Sequence, residues 1–174
     1  MGQQPILGKK NIVKKQPTQK PRKDVDIQDL KIGTWNVRSL YRTGTLTTVV
    51  SELDRYELAI LTIQETRWPG SGNHKTEKAT LFYSGGSRHE KGVGFVVSDR
   101  ILNNIKRFES INDRLCLLEI QAKWFNIILI NCYAPTEDKD EETKNDFFKQ
   151  LEVQYLKIWS KSYLGTLMQK LGKK

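Results

Sequence analysis

LAILTIQET, residues 58–66, decides how the rest of the chain is arranged. Ala59, Ile60, Leu61 and Ile63 make an apolar run too short for a helix, so it is expected to be a buried strand. The run stops on Gln64-Glu65-Thr66. A carboxylate at the end of a buried strand lies at the sheet edge where open α/β sheets take their ligands. Such a charge calls for a partner, and a metal ion or a cationic group is the natural one. An ordinary exposed loop glutamate is the alternative on this motif alone.

Upstream, LKIGTWNV (30–37) is rich in residues that suit a strand. Leu46, Val49, Val50 and Leu53 then recur at helical spacing, which predicts a helix from about Thr45 to Tyr56. The threonines in it lower its intrinsic propensity, so packing must hold it. Strand, helix and strand at this spacing predict a βαβ unit with a parallel pair. Both strands then end on the same side of the sheet, which places Asn36 near Glu65.

Downstream, residues 67–78 are expected to be a loop punctuated by Pro69, Gly70 and Gly72. Short strands follow at 79–85, 92–98, 103–111, 115–122 and 125–135. Gly92 and Gly94 open no helix, so they signal close strand packing rather than a dinucleotide fingerprint. Acidic residues 137–142 lead into a helix expected to carry Phe147, Phe148, Leu151, Tyr155 and Ile158 on one face.

The 174 residues suffice for one domain with a hydrophobic core. No apolar stretch is long enough to cross a membrane, and the first residues lack the core of a secretory signal, so an intracellular chain is expected. Cys116 and Cys132 lie in apolar strand patterns and read as small buried hydrophobes in a reduced compartment. No Cys/His spacing suggests zinc, and His74 and His89 read as solvated loop residues. Of the net charge of +9, seven cations fall in residues 1–23 with no acid before Asp24. This stretch lacks apolar periodicity and is expected to be disordered. It predicts binding to DNA or another nucleic acid and a nuclear address; a solubilising tail without a specific partner is the alternative.

Four segments stand in a telling order: TWNVRSL (34–40), IQETRW (63–68), GVGFVVS (92–98) and INCYAPTE (130–137). Over roughly residues 30–160 the chain resembles the endonuclease/exonuclease/phosphatase superfamily, and within it the endonucleases of RTE-type non-LTR retrotransposons. The same domain occurs in proteins labelled craniofacial development protein 2. The resemblance implies a DNase I-like four-layer α/β sandwich, here only its N-terminal portion, with one main sheet and flanking helices. It implies magnesium-dependent phosphodiester hydrolysis, with Glu65 as the metal ligand. Asn36 would order metal and phosphate, and Tyr133 would contact the scissile phosphate. Arg114 stands where related endonucleases keep a basic, phosphate-binding residue. These types suit the chemistry. Magnesium needs few carboxylates when substrate phosphate completes its shell, and neutral Asn and Tyr donors hold phosphate oxygens without adding charge. Without the resemblance, Asn36 reads equally as a turn cap, Tyr133 as a half-buried strand aromatic and Arg114 as a surface turn residue.

The chain departs from the family after its last helix. The family's next motif is Gly-Asp-Phe-Asn, whose Asp activates water and whose Asn binds phosphate. Here LGTLMQKLGKK (164–174) puts Thr166 at the Asp position and Met168 at the Asn position. Thr has no titratable proton near neutral pH, so the general base is missing on this alignment. The domain organisation expected is a basic tail at 1–29, a partial nuclease domain at 30–160 and an altered, frayed segment at 161–174. The later family motifs have no sequence to occupy, so the second sheet is expected to be largely missing and the first sheet's inner face open. The function implied is a catalytically incomplete endonuclease remnant with weak or vestigial magnesium binding. The alternative is a non-enzymatic module for binding nucleic acid or protein. Deleting one G from Gly-Asp-Phe-Asn-Ala codons yields Gly-Thr-Leu-Met followed by Gln or His, the pattern of Gly165 to Gln169. Sequencing the coding DNA should show codons for Thr166–Gln169 one indel away from Asp-Phe-Asn-Ala; codons unreachable in this way rule out the frameshift.

Overall fold

The structure is a computed structural model. It describes Asp26 and residues 30–171, with side chains described as far as residue 160. The expected basic tail therefore lies outside the described residues apart from Asp26, as do the side chains of Thr166 and Met168.

The βαβ unit is present. Strand β1 (Ile32–Asn36), helix α1 (Thr45–Arg55) and strand β2 (Ile60–Gln64) follow in order. The strands pair in parallel, from Ile32↔Ile60 to Asn36↔Gln64. Helix α1 has no side-chain N-cap, and Gly44 enters it in the left-handed region at φ 86°. Packing holds the helix instead. Val49, Val50 and Leu53 are buried against Leu61, Ile63, Leu81 and Val96. Burying each such side chain contributes about 1.5–3 kcal/mol, enough to outweigh the weak propensity of the threonines.

Six more strands follow: β3 (Ser71–Lys75), β4 (Ala79–Ser84), β5 (Val93–Ser98), β6 (Ile105–Ser110), β7 (Leu115–Gln121) and, after a tight turn, β8 (Asn126–Cys132). They form a five-stranded sheet ordered β1-β2-β5-β4-β3 and a three-stranded sheet ordered β6-β7-β8. This is a partial α/β sandwich, in keeping with the expected fold class. The expectation of one main sheet with an open inner face is corrected. Cys116, Leu118 and Ile120 of β7 pack into one buried cluster with Ala59, Ile60, Val93, Phe95 and Val97 of the first sheet. Strands β7 and β8 are short apolar runs like β2 and β5 of the first sheet, so local pattern alone did not assign them to a second sheet.

Three local expectations also change. Residues 67–78 contain β3, an exposed edge strand held by backbone pairing to β4, whose sequence SGNHK carries no apolar alternation. Cys116 is buried but Cys132 is exposed, and both thiols are free. Alternation along β8 turns Asn131 inward and Cys132 outward. Helix α2 (Glu141–Leu171) begins at Asp140, whose Oδ1 accepts from the Thr143 N–H at 2.7 Å. On it Phe147 is buried, Leu151 and Ile158 are half-buried, and Phe148 and Tyr155 are exposed. At about 100° per residue, Phe147, Leu151 and Ile158 share a narrow stripe that Phe148 and Tyr155 miss by one position.

One buried polar side chain ties the sheets together. Asn131 of β8 is 3% exposed. Its Nδ2 donates to the carbonyls of Ile63 (2.9 Å) and Gly94 (2.8 Å), and its Oδ1 accepts from Gln64 Nε2 at 2.8 Å. It thus joins β2, β5 and β8 just below the edge where β2 ends. Asn131→Ala should destabilise the fold by about 2–4 kcal/mol, through lost hydrogen bonds and a cavity. Urea denaturation reads this directly, and a loss below about 0.5 kcal/mol would contradict the role given to Asn131.

Candidate functional site

The parallel register carries β1 and β2 to the same edge and ends them on Asn36 and Gln64. Glu65 is the next residue. Its backbone enters the left-handed region at φ 57°, and Arg67 does the same at φ 56°. Non-glycine residues take this conformation at a cost of order 1 kcal/mol or more, usually where the surroundings over-determine it. Here they do. Thr66 donates its N–H to the Gly92 carbonyl (3.1 Å), and Arg67 donates its own to Lys91 (2.7 Å). Gly92 has φ 114°, and a Cβ there would stand 2.2 Å from Thr66 Oγ1, so only glycine lets the two segments approach. The close packing expected of the GVG stretch is therefore what its glycines provide.

The two sheets meet over this turn. Tyr133 follows β8, and its hydroxyl donates to Glu65 Oε1 at 3.0 Å. Asn36 Nδ2 donates to the same oxygen at 2.8 Å. Asn36 Oδ1 in turn accepts the Arg38 N–H at 3.0 Å, which fixes the orientation of the amide. Arg67 Nη2 reaches Glu65 Oε2 at 3.1 Å. Arg114 lies behind Tyr133: Nη1 donates to the Tyr133 carbonyl at 2.9 Å, and the guanidinium sits 5.3 Å from the ring centroid. The backbone closes the same pair, with the Tyr133 N–H donating to the Arg114 carbonyl at 2.9 Å.

The structure therefore brings Asn36, Glu65 and Tyr133 together at one carboxylate, with Arg114 set against Tyr133. Three residues of the site were not singled out from sequence. Arg67 carried a signal, a cation two positions after the strand-terminal carboxylate. Asn131 carried a weaker one, an amide inside the apolar run IILINC. Gln64, which links Thr34 Oγ1 (3.3 Å) to Asn131, carried none beyond its place in the motif. His89 is exposed, yet its Nδ1 bonds the Arg67 carbonyl at 3.0 Å and its ring meets Tyr41 edge-on at 4.9 Å. His74 likewise lies in β3 with its ring edge-on to Trp68. Neither histidine is simply solvated.

Over part of its length the chain is similar to craniofacial development protein 2. Over 122 residues it is 37% identical to that protein of Tragulus javanicus and 36% identical to that of Bos taurus. The matched stretch is 70% of this chain but only 21% and 20% of those proteins, so the chain spans about a fifth of the length of the curated relatives it matches. No family model matches the sequence. Among the described residues no helix is long and apolar enough to cross a membrane.

The hydrogen bond from Asn36, followed by those from Arg67 and Tyr133, holds the Glu65 carboxyl below its ordinary pKa against the opposing effect of burial. Burial and the Glu65 charge push the Tyr133 phenol upward, so it remains a donor at neutral pH. Magnesium, which the resemblance implies, would have to be held by Glu65. Carboxylate oxygen is the right donor for so hard an ion. Yet Oε1 already accepts two hydrogen bonds and Oε2 carries a guanidinium, and among the described residues no group of three His, Cys, Asp or Glu side chains converges. As the side chains stand, this donor set does not fit a divalent ion.

A carboxyl whose folded pKa is lowered stabilises the fold above its unfolded pKa of about 4.3 and loses that contribution as pH falls through the lower folded value. Glu65→Gln should therefore unfold more easily than the parent chain at pH 7, with the gap narrowing below about pH 4. Urea midpoints measured from pH 7 to pH 3 test this; a gap that stays constant or widens on acidification would contradict the ion-paired state of Glu65.

Proposed function

We propose that the chain is a nuclease-derived domain of the endonuclease/exonuclease/phosphatase superfamily, of retrotransposon origin, that binds nucleic acid and is catalytically incomplete. The observation that carries this is the convergence of Asn36, Glu65 and Tyr133 at the edge where the two sheets meet. One acceptor carboxylate flanked by amide, phenol and guanidinium donors suits a phosphodiester, whose oxygens take hydrogen bonds from such groups. Tyr133, kept protonated and braced by Arg114, would present its hydroxyl to a phosphate oxygen. Asn36, held between Glu65 and the Arg38 N–H, would offer its second amide hydrogen. Exposed Arg38, whose N–H is held by Asn36, stands beside this edge and would meet the backbone of a nucleic acid.

Hydrolysis asks for more than phosphate contact. A water must lose a proton to a group poised near neutral pH, and removing one such group typically costs about 10²–10⁴-fold. On the family alignment the position of that group holds Thr166, and the adjoining phosphate-binding position holds Met168. The basic segment 1–23 supports nuclear residence and salt-sensitive attraction to DNA. The alternative of a protein-interaction module draws on the exposed Phe148, Tyr155 and Leu156 of α2.

Two measurements test the proposal. Supercoiled plasmid incubated with the chain and magnesium should show no nicking that depends on Glu65; nicking lost in Glu65→Ala would establish a working nuclease instead. DNA binding should weaken steeply with salt. Deleting residues 1–23, with their seven cations, should flatten the log–log salt dependence by up to about 6. Absence of any DNA binding by the full chain at low salt would favour the protein-interaction alternative.

A further inference from the structure

We propose that Arg67 is a built-in counter-ion for Glu65 that holds the carboxylate against divalent cations. This deepens the nuclease-derived reading of Glu65 and rests on it. A strand-terminal carboxylate needs positive charge, and the chain supplies it from two residues away: Arg67 Nη2 stands 3.1 Å from Glu65 Oε2. The placement is built into the backbone rather than left to a mobile side chain. Glu65 and Arg67 both take the left-handed conformation, and Thr66 between them is fully buried. Each end of the turn is pinned, by Gly92 and Lys91 carbonyls on one side and by His89 on the Arg67 carbonyl. The Glu65 side chain is 16% exposed and that of Arg67 43%, so the carboxylate faces the guanidinium more than it faces water.

Buried Arg67 Nε has no partner among the described residues, so the head group is positioned by Glu65 through Nη2 and not by a second acceptor. A divalent ion approaching Oε2 meets this like charge at contact distance. Approach to Oε1 requires displacing Asn36 or Tyr133, which both donate there. A lysine or arginine two residues from an unpaired carboxylate would be unremarkable. A cation locked by two strained residues and three backbone contacts is a specificity device, because it excludes the ion without occupying a ligand position itself. Arg67 is thus a positioning residue: it acts through Glu65.

Direct ion binding by the whole chain tests this, with manganese as the probe and calorimetry or electron paramagnetic resonance as the readout. Arg67→Gln should bind manganese more tightly than the parent chain by up to about fivefold, the most that a partly exposed ion pair contributes. The gain should vanish in the Glu65→Gln, Arg67→Gln double variant, and Arg67→Lys should retain much of the suppression. Equal or weaker binding by Arg67→Gln, or a gain that survives in the double variant, overturns the proposal. A second measurement needs no variant: the Glu65 carboxyl ¹³C resonance of the parent chain should hold its position as magnesium is raised to millimolar levels. A saturating shift there also overturns it. Ion binding is read without cleavage or DNA, so failure here is distinguishable from failure of the nuclease-derived reading, which DNA binding decides.

Discussion

Glu65 places a full negative charge at the end of a strand in which Ile60, Leu61 and Ile63 are buried, and the fold around it is arranged to hold that charge. Donors come from three separate parts of the chain. Asn36 arrives through the parallel pairing of β1, Tyr133 through the second sheet, and Arg67 through a strained turn. An uncompensated carboxylate in such a place costs several kcal/mol, so each of these contacts offsets a penalty rather than adding independent stability. For that reason the same three contacts keep the group ionised and set which ions and oxygens can approach it.

Closure of the two sheets depends on a smaller set of contacts. The inner faces meet through Phe95, Leu118, Ile120 and their neighbours, which supply apolar area without direction. Asn131 adds direction. By satisfying the Ile63 and Gly94 carbonyls and engaging Gln64, it sets where β8 crosses β2, and so where Tyr133 emerges relative to Glu65. Packing without that registration would leave the Tyr133 hydroxyl free to sit an ångström or more from its acceptor, and a site of this kind tolerates little such looseness.

Much of the site was legible because its residues end regular elements. Asn36 and Glu65 close two strands whose apolar runs and intervening helical period announce a parallel pair, so their proximity follows from topology. The strands of the second sheet were legible one by one, but their partnership was not, since the alternation that marks a strand says nothing of which sheet it joins. Strand β3 escaped because backbone pairing to β4, not apolar patterning, holds it. On α2 the aromatic pair Phe147-Phe148 looked like one face, yet adjacent residues on a helix diverge by about 100°, and only Phe147 turns inward.

By itself the sequence determined the βαβ unit, the places of the strands other than β3, the edge on which Glu65 stands and the chemical types gathered there. Those are consequences of short-range periodicity and of chain direction. Tertiary structure alone decided that three strands form a facing sheet, that Asn131 locks it in register, and that the cation beside Glu65 is Arg67. These depend on contacts between residues far apart in the chain, or on a left-handed turn imposed by Lys91 and Gly92 just ahead of β5; the cation two positions after Glu65 is visible in the sequence, but the turn that sets it against the carboxylate is not.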